Sequence, residues 1–380
     1  MERPVKILMY IPQPGPTRAP EVAANLAKLG NEVIAISPPE KQMLQLGVNI
    51  KPIRFTTLPF IGPLLLIGYG LVLAMFTIAR RKPDIIYTLG GSMGTGLLLA
   101  KLFKRPLVTE VNGLGRAELK LIQKGSLSML ISRISRWMDE REMKYSDHVV
   151  VVTAGLKEAL QRYLNIQPNK ITVITNGANT YFFKPISDAK ESLQLDSKCY
   201  YVGFVGIFAP WQGLDYMIKS ASLILKEVPN TKFLLVGDGM TKRRMVELSE
   251  ELHLAENFIF VGAVSYTEVP KYINAMDVCI SFRKGTPASP LKLYEYMACG
   301  KPVVATEEPD NGFVKEHNAG LLVDPENPRE IANAILSLLR DDEIREQMGR
   351  NGMKYVLEER SWQAVAREIE ETIKMVVSEY

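Results

Sequence analysis

Two runs of short apolar segments, each alternating with helical stretches, constrain the fold of this chain more than any other feature. In the first half the strand-like segments are "VKILMY", "NEVIAIS", "DIIYTLG", "PLVTEV", "HVVVVT" and "ITVITNG". Between them lie stretches of helical period: "PEVAANLAKLG", "SMGTGLLLAKLF", and a run in which Leu127, Leu130, Ile131, Ile134, Trp137 and Met138 recur at helical spacing. A second alternation starts near Tyr200 with "CYYVGFVG" and closes on "AGLLVD". Strands that are apolar on both faces sit inside a layered fold, and strands joined by helices pair in parallel. The fold class is therefore α/β, with two Rossmann-like doubly wound parallel sheets. At 380 residues the chain is also long for one core. The expected division is 1–186, 187–355, and a closing helix at 356–380 that crosses back to the first domain. The polar stretch Lys184–Ser197 reads as a linker, and the tail from Asn327 as a helix burying Ile331, Ile335, Leu338 and Leu339.

Open α/β sheets bind ligands beyond the carboxyl ends of their strands, so the chemistry belongs in the loops that follow them. One such loop leads from "DVCISF" into "SPLKLYEYMACGKPVVAT". Ser289 suits a helix cap and Pro290 its first turn, while Gly300 and Pro302 end the helix. Lys292 and Glu295 stand three apart on that helix, hence on neighbouring positions of one face. A helix start favours an anion through its free amides and dipole, and Lys292 adds a formal charge. Glu295, a turn further on, can accept from paired hydroxyls such as those of a ribose. An anion beside a diol points to a nucleoside diphosphate; the plainer reading is that Lys292 and Glu295 pair with each other.

Other chemistries lack their residues. Cys199, Cys279 and Cys299 have no paired spacing, which argues against a disulfide framework or zinc site and fits a reducing, cytoplasmic compartment. His148, His253 and His317 are scattered, and no D-x-D pair, P-loop or G-x-S-x-G elbow occurs, so no metal is expected. "GGSMGTG", Gly90–Gly96, lacks the dinucleotide fingerprint and reads as a close-packed strand-to-helix turn.

At the Lys292 helix the chain resembles the GT-B glycosyltransferases, in particular the large family-four group of retaining enzymes. "ITVITNGANTYFFKP", "VGFVGIFAPWQGLD", "FLLVGDG", "FVGAVSYTEVPKYINAMDVCI" and "AGLLVDPENP" follow in that family's order. The resemblance implies two domains facing across a cleft, and transfer of a sugar from a nucleotide diphosphate sugar to a saccharide or lipid-linked acceptor. Configuration would be retained, without a metal or other cofactor. Glu295 matches the second Glu of the family's Glu-x7-Glu pattern, the usual ribose ligand. By the same resemblance Gly15 would face the donor phosphates, with Gly206 and Gln212 in the phosphate loop and Gly262 to Val264 near the base. Ser289, Pro290, Leu291 and Lys292 complete the donor set. Lys292, Glu295 and Asn112 are the candidate catalytic residues, and Glu110, Asn112 and Arg116 would line the acceptor side.

The departures matter. Pro287 stands where the first Glu belongs, Ile207 and Gln212 where an Arg and a Lys are usual, and Asn112 where a His is common. Lys292, the helix start, and Arg283 or Lys284 would then carry more of the anion. A non-catalytic nucleotide-sugar-binding partner of another transferase is the alternative, and an epimerase a further one that lacks suitable acid–base residues.

Two stretches point to a surface partner. Residues 55–79 carry no charge, and 101–136 hold eight Lys or Arg against Glu110 and Glu118, a net +6. Strands before and after the uncharged stretch argue against a spanning helix and leave two readings, peripheral contact with the cytoplasmic face of a membrane or an ordinary buried helix; most of the basic side chains read as a solvated helix face. Basic segments without interleaved aromatics at a recognised module spacing disfavour nucleic acid.

Overall fold

The computed structural model describes residues 3–11, 17–38, 49–52, 61–113, 126–283 and 289–380. They form two compact units. The first comprises the described residues up to Asn176, with Ser289 and Trp362–Tyr380; the second runs from Gly177 to Arg283 and from Pro290 to Ser361. These boundaries fall at other positions than 186/187 and 355/356.

The first unit is built on seven parallel strands: β1 Lys6–Tyr10, β2 Glu32–Ser37, β3 Asn49–Pro52, β4 Ile85–Leu89, β5 Leu107–Val111, β6 His148–Val151 and β7 Ile171–Val173. Their order across the sheet is β3-β2-β1-β4-β5-β6-β7. Every strand expected from its apolar run is present. β3, "NIKP", is an edge strand with no apolar run and a terminal proline, so no period marks it. Leu8, Ile34, Ile86 and Leu107 pack beneath Ala74, Ile78 and Leu99 of the helices Ile61–Arg81 and Thr95–Phe103. From Leu71 to Ile78 the uncharged stretch thus covers a sheet with its inner face, and among the described residues no helix is long and apolar enough to cross a membrane. Helix Arg18–Lys28 packs instead with the final helix, Trp362–Glu379, and Asn31 Nδ2 donates to Glu370 Oε1 at 2.6 Å.

The glycine-rich turn after β4 is close-packed. A Cβ on Gly96 would meet Thr88 Cγ2 at 2.4 Å. Helix Ser126–Tyr145 clasps the turn with two inward carboxylates. Glu142 accepts from Ser92 Oγ at 2.6 Å and Leu97 N at 3.2 Å, and Asp139 accepts from Met93 N at 2.8 Å. Burial, with Glu142 nearby, pushes Asp139 up to about 7.

The second unit repeats the plan with six parallel strands: β8 Tyr200–Val205, β9 Thr231–Val236, β10 Phe258–Gly262, β11 Val278–Ser281, β12 Val303–Thr306 and β13 Gly320–Val323, ordered β10-β9-β8-β11-β12-β13. Its first and fourth strands, β8 and β11, are neighbours, with Val278 beside Val202. Helix Pro328–Arg340 buries Ile331, Ile335, Leu338 and Leu339 as its period predicts, and Asn327 caps it by accepting from Glu330 N. The stretch Lys184–Ser197 is not a free linker. Ala189 is buried and Lys190 Nζ pairs with Asp277 at 2.9 Å, which fastens the stretch to this unit while most of its other polar residues face solvent.

Candidate functional site

The strand order makes β8 and β11 a switch point. Their following helices, Leu214–Glu227 and Leu291–Ala298, bury into separate apolar clusters, one with Phe204 and Ile280, the other with Tyr201 and Cys279. Strands alternate faces, so these clusters lie on opposite sides of the sheet, and the chain parts at the carboxyl ends of β8 and β11.

Lys292, in the first turn of Leu291–Ala298, reaches back to that point. Its Nζ donates to Gln212 Oε1 at 2.9 Å and stands 3.9 Å from the centroid of the Phe204 ring. A Cβ on Gly206 would lie 2.8 Å from the same nitrogen, and Gly206, at φ +149°, occupies backbone space that favours glycine. Burial and then the Arg283 cation lower the Lys292 pKa to about 7, against an opposing pull from Glu295. A lysine near half-charged at neutral pH lacks a full counter-ion, and a bound anion would supply one.

Lys292 and Glu295 turn to different partners. Glu295 is buried and its Oε1 accepts from Tyr266 OH at 2.9 Å. The helix start differs from expectation. Pro290 holds the cap position without a side-chain hydrogen bond, and the helix begins at Leu291. Ser289 does not cap it: its hydroxyl accepts from Asn176 N at 3.2 Å and its carbonyl from Asn176 Nδ2 at 2.9 Å. The amides of Leu291 and Lys292, ahead of the first helical bond from Leu293 N to Pro290 O, have no acceptor within the helix.

Glycines bring the neighbouring loops together. A Cβ on Gly237 would fall 1.9 Å from Gly206 O, and Phe208 N donates to Asp238 O at 2.9 Å. Gly262 ends β10, where its carbonyl accepts from Gly237 N at 2.8 Å; Val264 follows, packed partly against the Tyr201 cluster. The structure thus brings Gly206, Gln212 and Lys292 to one point and sets Glu295 a turn away. Gln212, read in sequence as standing where a Lys is usual, accepts from the Lys292 ammonium. Tyr266 and Phe204 were missed, since neither an aromatic in a loop nor a strand phenylalanine carries a signal of its own.

In the first unit the Glu110 carboxylate is already committed. It is 1% exposed, accepts from Arg18 Nε at 3.0 Å through Oε1 and from Tyr87 OH at 2.6 Å through Oε2. Burial and Glu110 push the Tyr87 hydroxyl well above its usual range. Arg18 also donates to Ile174 O, Thr175 O and Asn176 Oδ1. With one donor on each oxygen and almost no exposure, Glu110 is held in a buried ion pair with Arg18. Asn112 is exposed just beyond β5. Gly15, Arg116, Lys284 and Pro287 lie outside the described residues.

Two family models match the chain: Glycosyltransferase Family 4 over residues 17–182 and Glycosyl transferases group 1 over 185–355. A D-inositol 3-phosphate glycosyltransferase of Corynebacterium glutamicum is 25% identical, over 91% of this chain and 88% of its own. Among solved structures, sucrose-phosphate synthase from Thermosynechococcus elongatus aligns with a TM-score of 0.80 at 20% identity, covering 99% of this chain and 100% of that one. Anabaena Alr3699/HepE, solved in complex with UDP, aligns at 0.76 and 20% identity over 98% and 100%. Two sheets of one strand order, a site at the second sheet's switch point, and family matches to both halves agree: the chain belongs to the GT-B glycosyltransferases.

Proposed function

We propose that the chain transfers a sugar from a nucleotide diphosphate sugar to a hydroxyl of a saccharide or lipid-linked acceptor, with retention at the anomeric carbon. The observation that carries this reading is the Lys292 ammonium, held by Gln212 at a helix start, with the Arg283 cation near enough to depress it. Those groups are what a departing diphosphate needs as its bond to the sugar breaks and negative charge develops on oxygen. The amides of Leu291 and Lys292 add oriented donors, and Glu295, braced by Tyr266, is the ligand for the ribose hydroxyls. In this reading protein cations and amides meet the charge that a metal ion meets in other transferases. Gly262 to Val264 face the base, and Asn112 is the acceptor-side residue on the first unit. The relatives' names lend support: HepE was solved with UDP-glucose as well as UDP. The free cysteines, two of them buried, suit a cytoplasmic site of action.

The test is thermal stabilisation by a panel of nucleotide sugars, followed by release of nucleoside diphosphate from the one that binds. One donor is expected to raise the melting temperature and to turn over slowly with water alone. A panel with no binder would contradict the reading, and binding without any turnover would favour the non-catalytic partner. Glu295→Ala is expected to weaken that donor by about tenfold, in line with loss of a charged hydrogen bond. Unchanged affinity in titration calorimetry would remove the ribose role.

A further inference from the structure

Nine of the nineteen exposed large apolar side chains found among the described residues sit on three helices of the first unit. Helix Thr95–Phe103 packs beside both Ile61–Arg81 and Ser126–Tyr145, so the three form one layer. A helix on the outside of a soluble domain ordinarily turns charged residues to water. Here Ile61–Arg81 exposes Val72 and Phe76 at 65% and 51%, and its only charges are Arg80 and Arg81 at its end. The middle helix exposes Leu98 and Leu102 either side of Lys101. The third exposes Trp137 at 57% and Tyr145 at 52%.

Cations are interleaved with these rings. Arg80 lies 4.3 Å over Phe76, Arg141 lies 4.8 Å over Trp137 and 5.6 Å over Tyr145, and Lys101 reaches Tyr145 from the next helix at 5.7 Å. Of the third helix's three acids, Asp139 and Glu142 point inward to the glycine-rich turn and Glu140 is half-buried. The outward surface therefore combines aromatic and aliphatic tips with positive heads on apolar stems. That is the composition of an element that lies in the headgroup layer of an anionic bilayer, rings at the acyl boundary and cations at the phosphates.

We propose that this three-helix face docks on the surface of an anionic lipid bilayer. The proposal rests on this surface alone and not on the donor site. It commits to a membrane because aliphatic tips, ring faces and cations are spread over neighbouring helices, where an anion site would converge on one point.

The experiment is flotation of the full chain with vesicles of phosphatidylcholine, with and without an equal share of phosphatidylglycerol. Binding to the anionic vesicles is expected, at least tenfold tighter than to the neutral ones and weakened by salt. The pair Phe76→Ser with Trp137→Ser, and separately the pair Lys101→Glu with Arg141→Glu, should each lower binding by tenfold or more. All four residues are exposed, so the melting temperature and donor-induced stabilisation should stay at wild-type values; that second readout separates failure here from failure of the donor reading. Wild-type chain that floats with neither vesicle overturns the proposal, as do variants that bind like wild type. Self-association that the same variants abolish, without vesicle binding, overturns it in favour of a second copy of this chain.

Discussion

Lys292→Met is expected to lower kcat/KM for sugar transfer by about a hundred- to a thousandfold, the range seen when one preorganised charge-stabilising donor is removed. Methionine keeps the length and apolar stem and deletes only the ammonium. The fold should hold: a lysine whose pKa is brought down to about 7 mainly by burial is a strained resident, so its removal at neutral pH should leave the melting temperature no lower. Arginine should not restore activity. The ammonium fits between the Phe204 ring and the Gly206 backbone, where a Cβ alone would come within 2.8 Å, and a planar fork has no room. Gln212→Ala should show a smaller loss, since the lysine survives and only its tether goes. Steady-state rates with a saturating acceptor measure all three; wild-type turnover in Lys292→Met would remove the residue from the chemistry.

The largest effect on stability is expected away from that site. Arg18→Met should cost about 3–5 kcal/mol, because it leaves the Glu110 carboxylate buried without its counter-ion. It also strips Ile174 O and Thr175 O of their donor at the end of β7 and removes the cation 5.9 Å from the Trp362 ring. Urea unfolding reads the loss as a drop in midpoint at unchanged slope. Adding Glu110→Gln to Arg18→Met should return part of it, since the amide can be buried neutral. A double variant as unstable as the sum of its single variants would mean the two residues act independently.

The sheets and most helices were legible because both strand and helix periods are written in apolar residues, as in Ile331 to Leu339. β3 was not, since a short edge strand needs little apolar surface. The Lys292 helix was visible through Gly300 and its charged pair. Its cap was misread because Ser289 is drawn to Asn176, a partner 113 residues away that no local pattern encodes. The same long reach hid Gln212 as the partner of Lys292, 80 residues on, and Arg18 as that of Glu110, 92 away. Position in a motif identifies a family's residues; it does not say which of them the fold has already paired.

Proton linkage tests most directly whether the Lys292 ammonium meets the donor diphosphate. Free, Lys292 titrates at about 7; a diphosphate beside it favours the charged form and raises that value. Binding must then take up a proton between the two values. Below about pH 7 affinity should be flat on this group's account, and above it affinity should fall by up to tenfold per pH unit. The terminal phosphate, with its last pKa near 6, is ionised across that upper range and cannot mimic the trend. Titration calorimetry with the nucleoside diphosphate selected by the panel, at pH 8 in buffers of different ionisation enthalpy, counts the proton. Uptake approaching one proton in the wild type and none in Lys292→Met is the predicted result; equal uptake in both, or none in either, would contradict it.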